Sequence, residues 1–89
     1  MAQAPRRGPE GLDEVFGRVL RDARKAKGLS QEALATAGNL HPTYISLLER
    51  GKNSPSIRAL FVLADALRIG PAELIERTDR ELRGDRPPD

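Results

Sequence analysis

Side chains that can donate hydrogen bonds to anions or to base edges are concentrated in the middle of the chain. They are Gln31, His41, Thr43, Tyr44, Ser46, Arg50, Lys52, Asn53 and Ser54. Residues 15–58 carry eight Lys and Arg against three Asp and Glu, whereas residues 70–89 carry four against six. A positive segment of this kind suits a polyanion such as nucleic acid. Solvated helix faces have the same composition, so charge alone leaves both interpretations open.

The residue types needed for metal binding or catalysis are scarce. The sequence has no cysteine and one histidine, His41, which excludes disulfides, thiolate zinc sites and a protein-only metal cage of the usual kind. No second acid, nucleophile or ligand set accompanies His41 along the sequence. We therefore expect a protein that is not an enzyme and that uses no cofactor, metal or small-molecule substrate.

Size and composition limit the architecture that can position these side chains. A chain of 89 residues can close only a single core. Its three aromatic residues are Phe16, Tyr44 and Phe61, so Leu, Ile, Val and Ala must build the interior, which favours helices. No apolar run approaches the roughly 18 to 20 residues of a membrane span, and the N-terminus lacks the apolar stretch of a signal peptide. The expectation is a cytoplasmic protein without a membrane partner.

Apolar periodicity and punctuation predict an all-α fold of five short helices. We expect helix one at about 12–27 before Gly28, helix two from the Ser30 cap to Gly38-Asn39, helix three at about Pro42–Glu49 before Gly51, helix four from the Ser56 cap to Gly70, and helix five from Pro71 to about Arg83. Inward positions of the last two are Ile57, Leu60, Leu63, Ala64, Leu67, Leu74 and Ile75. The Pro- and Gly-rich ends, 1–11 and 84–89, are expected to be disordered tails around a domain at 12–83.

The second and third predicted helices have the spacing of a helix-turn-helix unit. In such a unit the first helix braces the second so that the second can enter a major groove of DNA. The bracing residues would be Leu34 and Ala35 against Ile45 and Leu48, and Ala35 must stay small where the helices cross. Asn39 tolerates the left-handed conformation that the turn requires.

This segment resembles a known family. SQEALA, the turn, and YISLLERGKNSPSIRALFVLADAL resemble the helix-turn-helix family of the lambdoid repressors and Cro over roughly residues 16–77. The LxxTYIS pattern that begins at Leu40 is similar to that of the small controller proteins of restriction–modification systems. The sequence departs from many relatives at Asn39, where they carry Gly, and at Pro42 and Leu47, where they often place Arg, Gln or Ser.

The resemblance implies a lambda-repressor-like, sequence-specific regulator of transcription that binds double-stranded DNA, with a cytoplasmic, nucleoid-associated location of bacterial or phage type. It implies that Gln31 holds a phosphate and that Arg24 neutralises Glu49 in a structural ion pair. The expected base-reading residues are Thr43 and Leu47, with Ser46 and Pro42 beside them. The expected phosphate contacts are Gln31, His41, Tyr44, Arg50, Lys52, Asn53 and Ser54.

One helix of this length reads only a few base pairs, so we expect a homodimer on a palindromic operator. The apolar residues left over near the C-terminal end are Phe61, Val62, Ile69, Ile75 and Leu82, which we predict as the dimer interface. A second interpretation is an antitoxin, whose helix-turn-helix represses its own operon while its tails or fifth helix bind a protein partner. The sequence leaves this alternative open.

Overall fold

A computed structural model describes residues 10–84 and contains five α-helices with no strand in that range. The helices are α1 (Leu12–Ala26), α2 (Gln31–Gly38), α3 (Pro42–Glu49), α4 (Ile57–Leu67) and α5 (Pro71–Leu82). The predicted all-α fold of five short helices is confirmed. The tails predicted at 1–11 and 84–89 lie outside the described residues except for Glu10, Gly11 and Gly84.

Local signals in the sequence set most helix ends. Ser30 and Ser56 cap α2 and α4, and their hydroxyls accept hydrogen bonds from the backbone N–H groups of Ala33 and Ala59 at 2.9 and 3.0 Å. Asn39 ends α2 in the left-handed conformation, with φ 55°. These caps satisfy backbone groups that have no partner inside a helix.

The end of α4 differs from the prediction. We expected the break at Gly70, but α4 ends at Leu67 and Arg68 adopts the left-handed conformation with φ 59°. Gly70 instead has φ −68° and precedes Pro71 as the cap of α5. The sequence does not predict that an arginine adopts the left-handed conformation, because only Gly, Asn and Asp favour that conformation strongly.

The core is formed by apolar residues from all five helices. Its fully buried large side chains are Leu20, Leu34, Ile45, Leu48, Leu63, Leu67 and Leu74. Two positions predicted to point inward do not. Ile57 is 71% exposed and Ile75 is 51% exposed. Ile57 is the first residue of α4, where no described element covers it, and Ile75 lies beside the buried stripe of α5 rather than on it.

Helix α1 packs closely against α3, and α2 packs against α3 and α4. At Gly17, the position where a Cβ would stand is 2.5 Å from the Leu48 carbonyl oxygen and 2.7 Å from that of Glu49. No side chain fits in that space, so α3 approaches α1 this closely only because residue 17 is glycine. The C-terminal end of α3 is thereby fixed on α1.

Helix α5 neutralises its own charges. Three i,i+4 ion pairs run along it, namely Glu73–Arg77, Glu76–Arg80 and Asp79–Arg83. The hydrogen bond from Arg83 lowers the pKa of Asp79 below its usual value. Arg18 of α1 adds a fourth pair with Glu81 at 3.2 Å. The positive charge that remains for an outside partner is therefore concentrated before α5.

Candidate nucleic-acid interface

A buried ion pair joins α3 to α1. The Arg24 Nε and Nη2 donate to the two carboxylate oxygens of Glu49 at 2.6 and 2.9 Å. The side chains are only 9% and 3% exposed. The third nitrogen of the guanidinium, Nη1, donates to the Leu29 carbonyl at 2.8 Å, in the turn before α2. A two-pronged bond of this kind fixes both the distance and the orientation of the two helices.

A third helix takes part in the same cluster. The Gln31 side-chain amide, at the start of α2, donates to Glu49 Oε1 at 3.0 Å. The Glu49 carboxylate thus accepts hydrogen bonds from residues on α1 and α2 while it belongs to α3. The bond between Gln31 and Glu49 was not foreseen in the sequence, where we assigned Gln31 to a phosphate. One amide hydrogen of Gln31 is left over for an outside acceptor.

The hydrogen bond to Glu49 is the main cause that raises the pKa of Arg24, with the charge of Glu49 adding to it and burial opposing it. Arginine is already protonated at any physiological pH. The sign of this shift means that the contribution of Arg24 to stability is complete below its unfolded pKa and is lost only above it. The pair is therefore a permanent link and not a pH switch.

The outer face of α3 lies beside a cleft toward the start of α2. The cleft is lined by Pro42, Thr43 and Ser46 on one side and by Ser30, Gln31, Glu32 and Arg24 on the other. Pro42 and Thr43 are exposed, whereas Ser46 and Leu47 are half-buried. Three of the four predicted base-reading residues thus line one cleft together with Gln31. Glu32 joins them there, and our sequence analysis had not included it.

His41 and Tyr44 lie along a different flank of α3. The His41 Nδ1 caps the helix by accepting a hydrogen bond from the Thr43 backbone N–H at 3.1 Å. Tyr44 is half-buried against the core. Both line a second cleft, whose opposite wall includes Ser56 and Arg58 of the α4 N-terminal region. Sequence analysis had not singled out Arg58 for any role.

The loop after α3 exposes Arg50, Lys52 and Asn53 to solvent. The Arg50 Nε donates to the Ser46 carbonyl at 3.4 Å, which turns its side chain back along α3. Ser54 is placed differently, because its hydroxyl donates to the carboxylate of Asp13 on α1. A carboxylate beside that hydroxyl disfavours a phosphate there. Asn53 Oδ1 accepts from the Ser54 backbone N–H at 3.0 Å.

The five residues predicted for a dimer interface differ in their exposure and in the clefts that they line. Ile75 and Leu82 line an apolar groove of about 330 Å³ with Leu12, Phe16, Pro55 and Leu60. Phe61, which is 55% exposed, lies on α4 next to Leu60. Ile69 is instead half-buried against the core. Val62 lies on the side of α2, because a Cβ at Gly38 would be 3.1 Å from its Cγ1.

Comparison with known proteins agrees with this geometry. The family model described as "Helix-turn-helix" matches residues 20–74. The chain is 38% identical over 75 residues to the uncharacterized HTH-type transcriptional regulator y4dJ of Sinorhizobium fredii, covering 84% of this chain and 97% of that protein. It therefore belongs to the helix-turn-helix family of transcriptional regulators.

Two solved structures show that this chain is similar to controller proteins within the family. The controller protein C.AhdI from Aeromonas hydrophila superimposes with a TM-score of 0.67 at 46% identity, over 68% of this chain and 92% of that one. The controller protein C.Esp1396I, solved as a tetramer in complex with its natural 35-base-pair operator, superimposes with a TM-score of 0.74 at 30% identity, over 81% and 95%. The resemblance to controller proteins inferred from LxxTYIS is thus confirmed. The family is one of transcriptional regulators, and transcriptional regulators are not enzymes.

None of the helices in residues 10–84 is long and apolar enough to cross a membrane. No group of three or more His, Asp or Glu in this range is arranged to hold a metal ion.

The buried cluster generates a prediction about stability. We expect Arg24→Ala or Glu49→Ala alone to lower the free energy of unfolding by about 3 to 5 kcal/mol, because each leaves a buried charge without its partner. The double variant should lose less than the sum of the two. Urea unfolding of all four proteins measures the coupling energy.

The exposed pair Glu76–Arg80 of α5 is the matched control, since its side chains are 65% and 55% exposed. Its coupling energy should be no more than about 0.5 kcal/mol. Additive losses at Arg24 and Glu49 would show that the two side chains do not act as a pair.

Proposed function

We propose that this protein is a sequence-specific, double-strand DNA-binding regulator of transcription. The observation that carries the proposal is the placement of α3, whose inner face is fixed by Leu48 and Glu49 while Thr43 and its neighbours face outward. A helix held in this way can enter a major groove and meet base edges there. The structure of C.Esp1396I in complex with its operator supports DNA binding by this chain.

The proposed contacts follow from the two flanks of α3. Thr43 and Ser46 donate to or accept from base edges, and Pro42 and Leu47 offer apolar contact to a thymine methyl group. The phosphate contacts are Gln31, His41, Tyr44, Arg50, Lys52 and Asn53. We leave Ser54 out of this set because its hydroxyl is bonded to Asp13. Arg24 and Glu49 position α3 without touching the bases.

We also propose that the protein binds a palindromic operator as a homodimer. Two copies related by a two-fold axis present their recognition helices to successive major grooves, about 34 Å apart. The apolar groove lined by Ile75 and Leu82, with Ile57 and Phe61 exposed on α4 beside Leu60, forms the self-association surface. Val62 and Ile69 are not part of it, for the reasons of position given above.

The antitoxin alternative is not favoured. The relatives described above are transcriptional regulators and controller proteins, and none supplies a toxin partner. A regulator of this kind acts where the DNA lies, so a cytoplasmic, nucleoid-associated location remains part of the proposal. No cofactor is needed for the proposed contacts, which are hydrogen bonds, ion pairs and apolar contacts.

DNA binding by matched variants tests which of the proposed residues contact phosphates and which contact bases. Arg50→Ala should weaken binding to a duplex selected from a random pool and to an unrelated duplex by similar factors. It should also make the dependence of log K on log salt shallower by about one unit, as for one lost phosphate contact. Thr43→Ala should lose about 1 to 3 kcal/mol on the selected duplex and little on the unrelated one.

Fluorescence anisotropy across a salt series measures both quantities. Equal losses on the two duplexes for Thr43→Ala would move that residue to the phosphate contacts. A protein that binds neither duplex would remove the proposed function itself.

The dimer surface is tested by analytical ultracentrifugation at micromolar concentration. We expect a dimer for the wild type and a monomer for Ile75→Glu, because a carboxylate in an apolar interface loses its hydration. The control is Ala33→Glu, an exposed position in the first turn of α2, where a glutamate is favourable after the Ser30 cap. Ala33→Glu should stay dimeric. A wild-type monomer would refute the dimer, and a dimeric Ile75→Glu protein would refute its location.

A further inference from the structure

The cleft between α3 and the start of α4 contains two of the predicted phosphate contacts, His41 and Tyr44, together with Arg58, to which the sequence assigned no role. Its polar lining consists of Asn39, His41, Tyr44, Ser56 and Arg58, which come from the end of α2 and the starts of α3 and α4. Its other lining residues, Gly38, Leu40, Ala59 and Val62, carry no carboxylate. The cleft therefore combines a cation with neutral hydrogen-bond donors, and no acidic side chain lines it.

The donors in this cleft are uncommitted. Within residues 10–84, the Arg58 side chain and the Tyr44 hydroxyl make no hydrogen bond or ion pair. The side chains of Arg21 and Arg68 also have no such partner there, but neither residue lines this cleft. His41 Nδ1 accepts the Thr43 N–H, so the neutral ring carries its proton on Nε2 and can donate it. An arginine without a partner beside two further donors suits a phosphate.

The position of the cleft indicates which phosphate of the DNA backbone it would bind. Helix α3 forms a ridge with the Gln31 cleft on one flank and the Arg58 cleft on the other. A helix inserted in a major groove about 12 Å wide has one sugar–phosphate backbone on each side. We infer that the Arg58 cleft binds a backbone phosphate of the DNA strand opposite to the one that Gln31 contacts. This inference rests on the proposed function, since it requires α3 to lie in the groove.

Arg58 in this role is a positioning contact. Phosphates carry no sequence information, so the contact sets the depth and angle of α3 and leaves base preference to Thr43 and its neighbours. One phosphate contact on each strand, at Gln31 and at Arg58, restrains α3 from rotating about its own axis within the groove.

The test replaces one charge at each end of the same helix. Arg58→Gln removes the cation of the cleft, and Arg68→Gln removes an exposed cation at the far end of α4 that belongs to neither cleft. Anisotropy titrations use the duplex selected from a random pool and an unrelated duplex of the same length. Arg58→Gln should lower the affinity for both by the same factor and make the salt slope shallower by about one unit. Arg58→Lys should restore much of the slope, because it restores the charge.

Three outcomes separate the possibilities. An Arg58→Gln protein with the wild-type affinity and slope, or an Arg68→Gln protein that loses as much, overturns the inference while the proposed function stands. Binding of inorganic phosphate that Arg58→Gln abolishes, with no effect of Arg58→Gln on the affinity for either duplex, would assign the cleft to a free anion and also overturn the inference. A wild-type protein that binds no duplex overturns both.

A single neutral linkage in the DNA locates the contact. Duplexes that carry one methylphosphonate at successive positions should contain one position where the wild type loses affinity and Arg58→Gln loses nothing further. That position should lie on the strand opposite to the one found in the same way with Gln31→Ala. Both positions on one strand would contradict the inference.

Discussion

The burial of the Glu49 carboxylate is the constraint on which the rest of the structure depends. Removing a carboxylate from water costs several kcal/mol unless hydrogen bonds and an opposite charge compensate for it. Here the compensation comes from Arg24 on α1 and Gln31 on α2, so three helices must meet at one point. Gly17 lets α1 approach the Leu48 and Glu49 carbonyls closely enough for that meeting.

Because the Glu49 carboxylate is buried, the two faces of α3 have different roles. Its inner face is committed to the core and to the buried cluster, so the outer face is free of structural demands and available for a partner. The charges of the molecule follow the same division. Helix α5 pairs its arginines with its own carboxylates, whereas Arg50, Lys52 and Arg58 have no carboxylate partner within residues 10–84. Cations without a carboxylate partner therefore lie near α3, although the net charge of the protein is only +2.

Much of the fold was predictable because its signals are local. Caps such as Ser30 and the left-handed Asn39 act within a few residues, and apolar spacing identifies the core stripe of each helix. Contacts between distant residues were not predictable in the same way. The bond between Ser54 and Asp13 and the bond between Gln31 and Glu49 depend on how the helices pack, which no spacing along the chain records. Arg58 was overlooked for the same reason, since its cleft is formed only when α4 folds back beside α3.

We propose that the outer face of α3 reads DNA in two copies related by a two-fold axis. This proposal can be tested by sequencing the duplexes that the purified protein retains from a random pool. We expect an enriched inverted repeat whose half-site centres are about 10 to 10.5 base pairs, or one helical turn, apart, or a multiple of that distance. A pool without enrichment over its starting composition, or a single motif without a repeat, would refute two-fold binding of this kind.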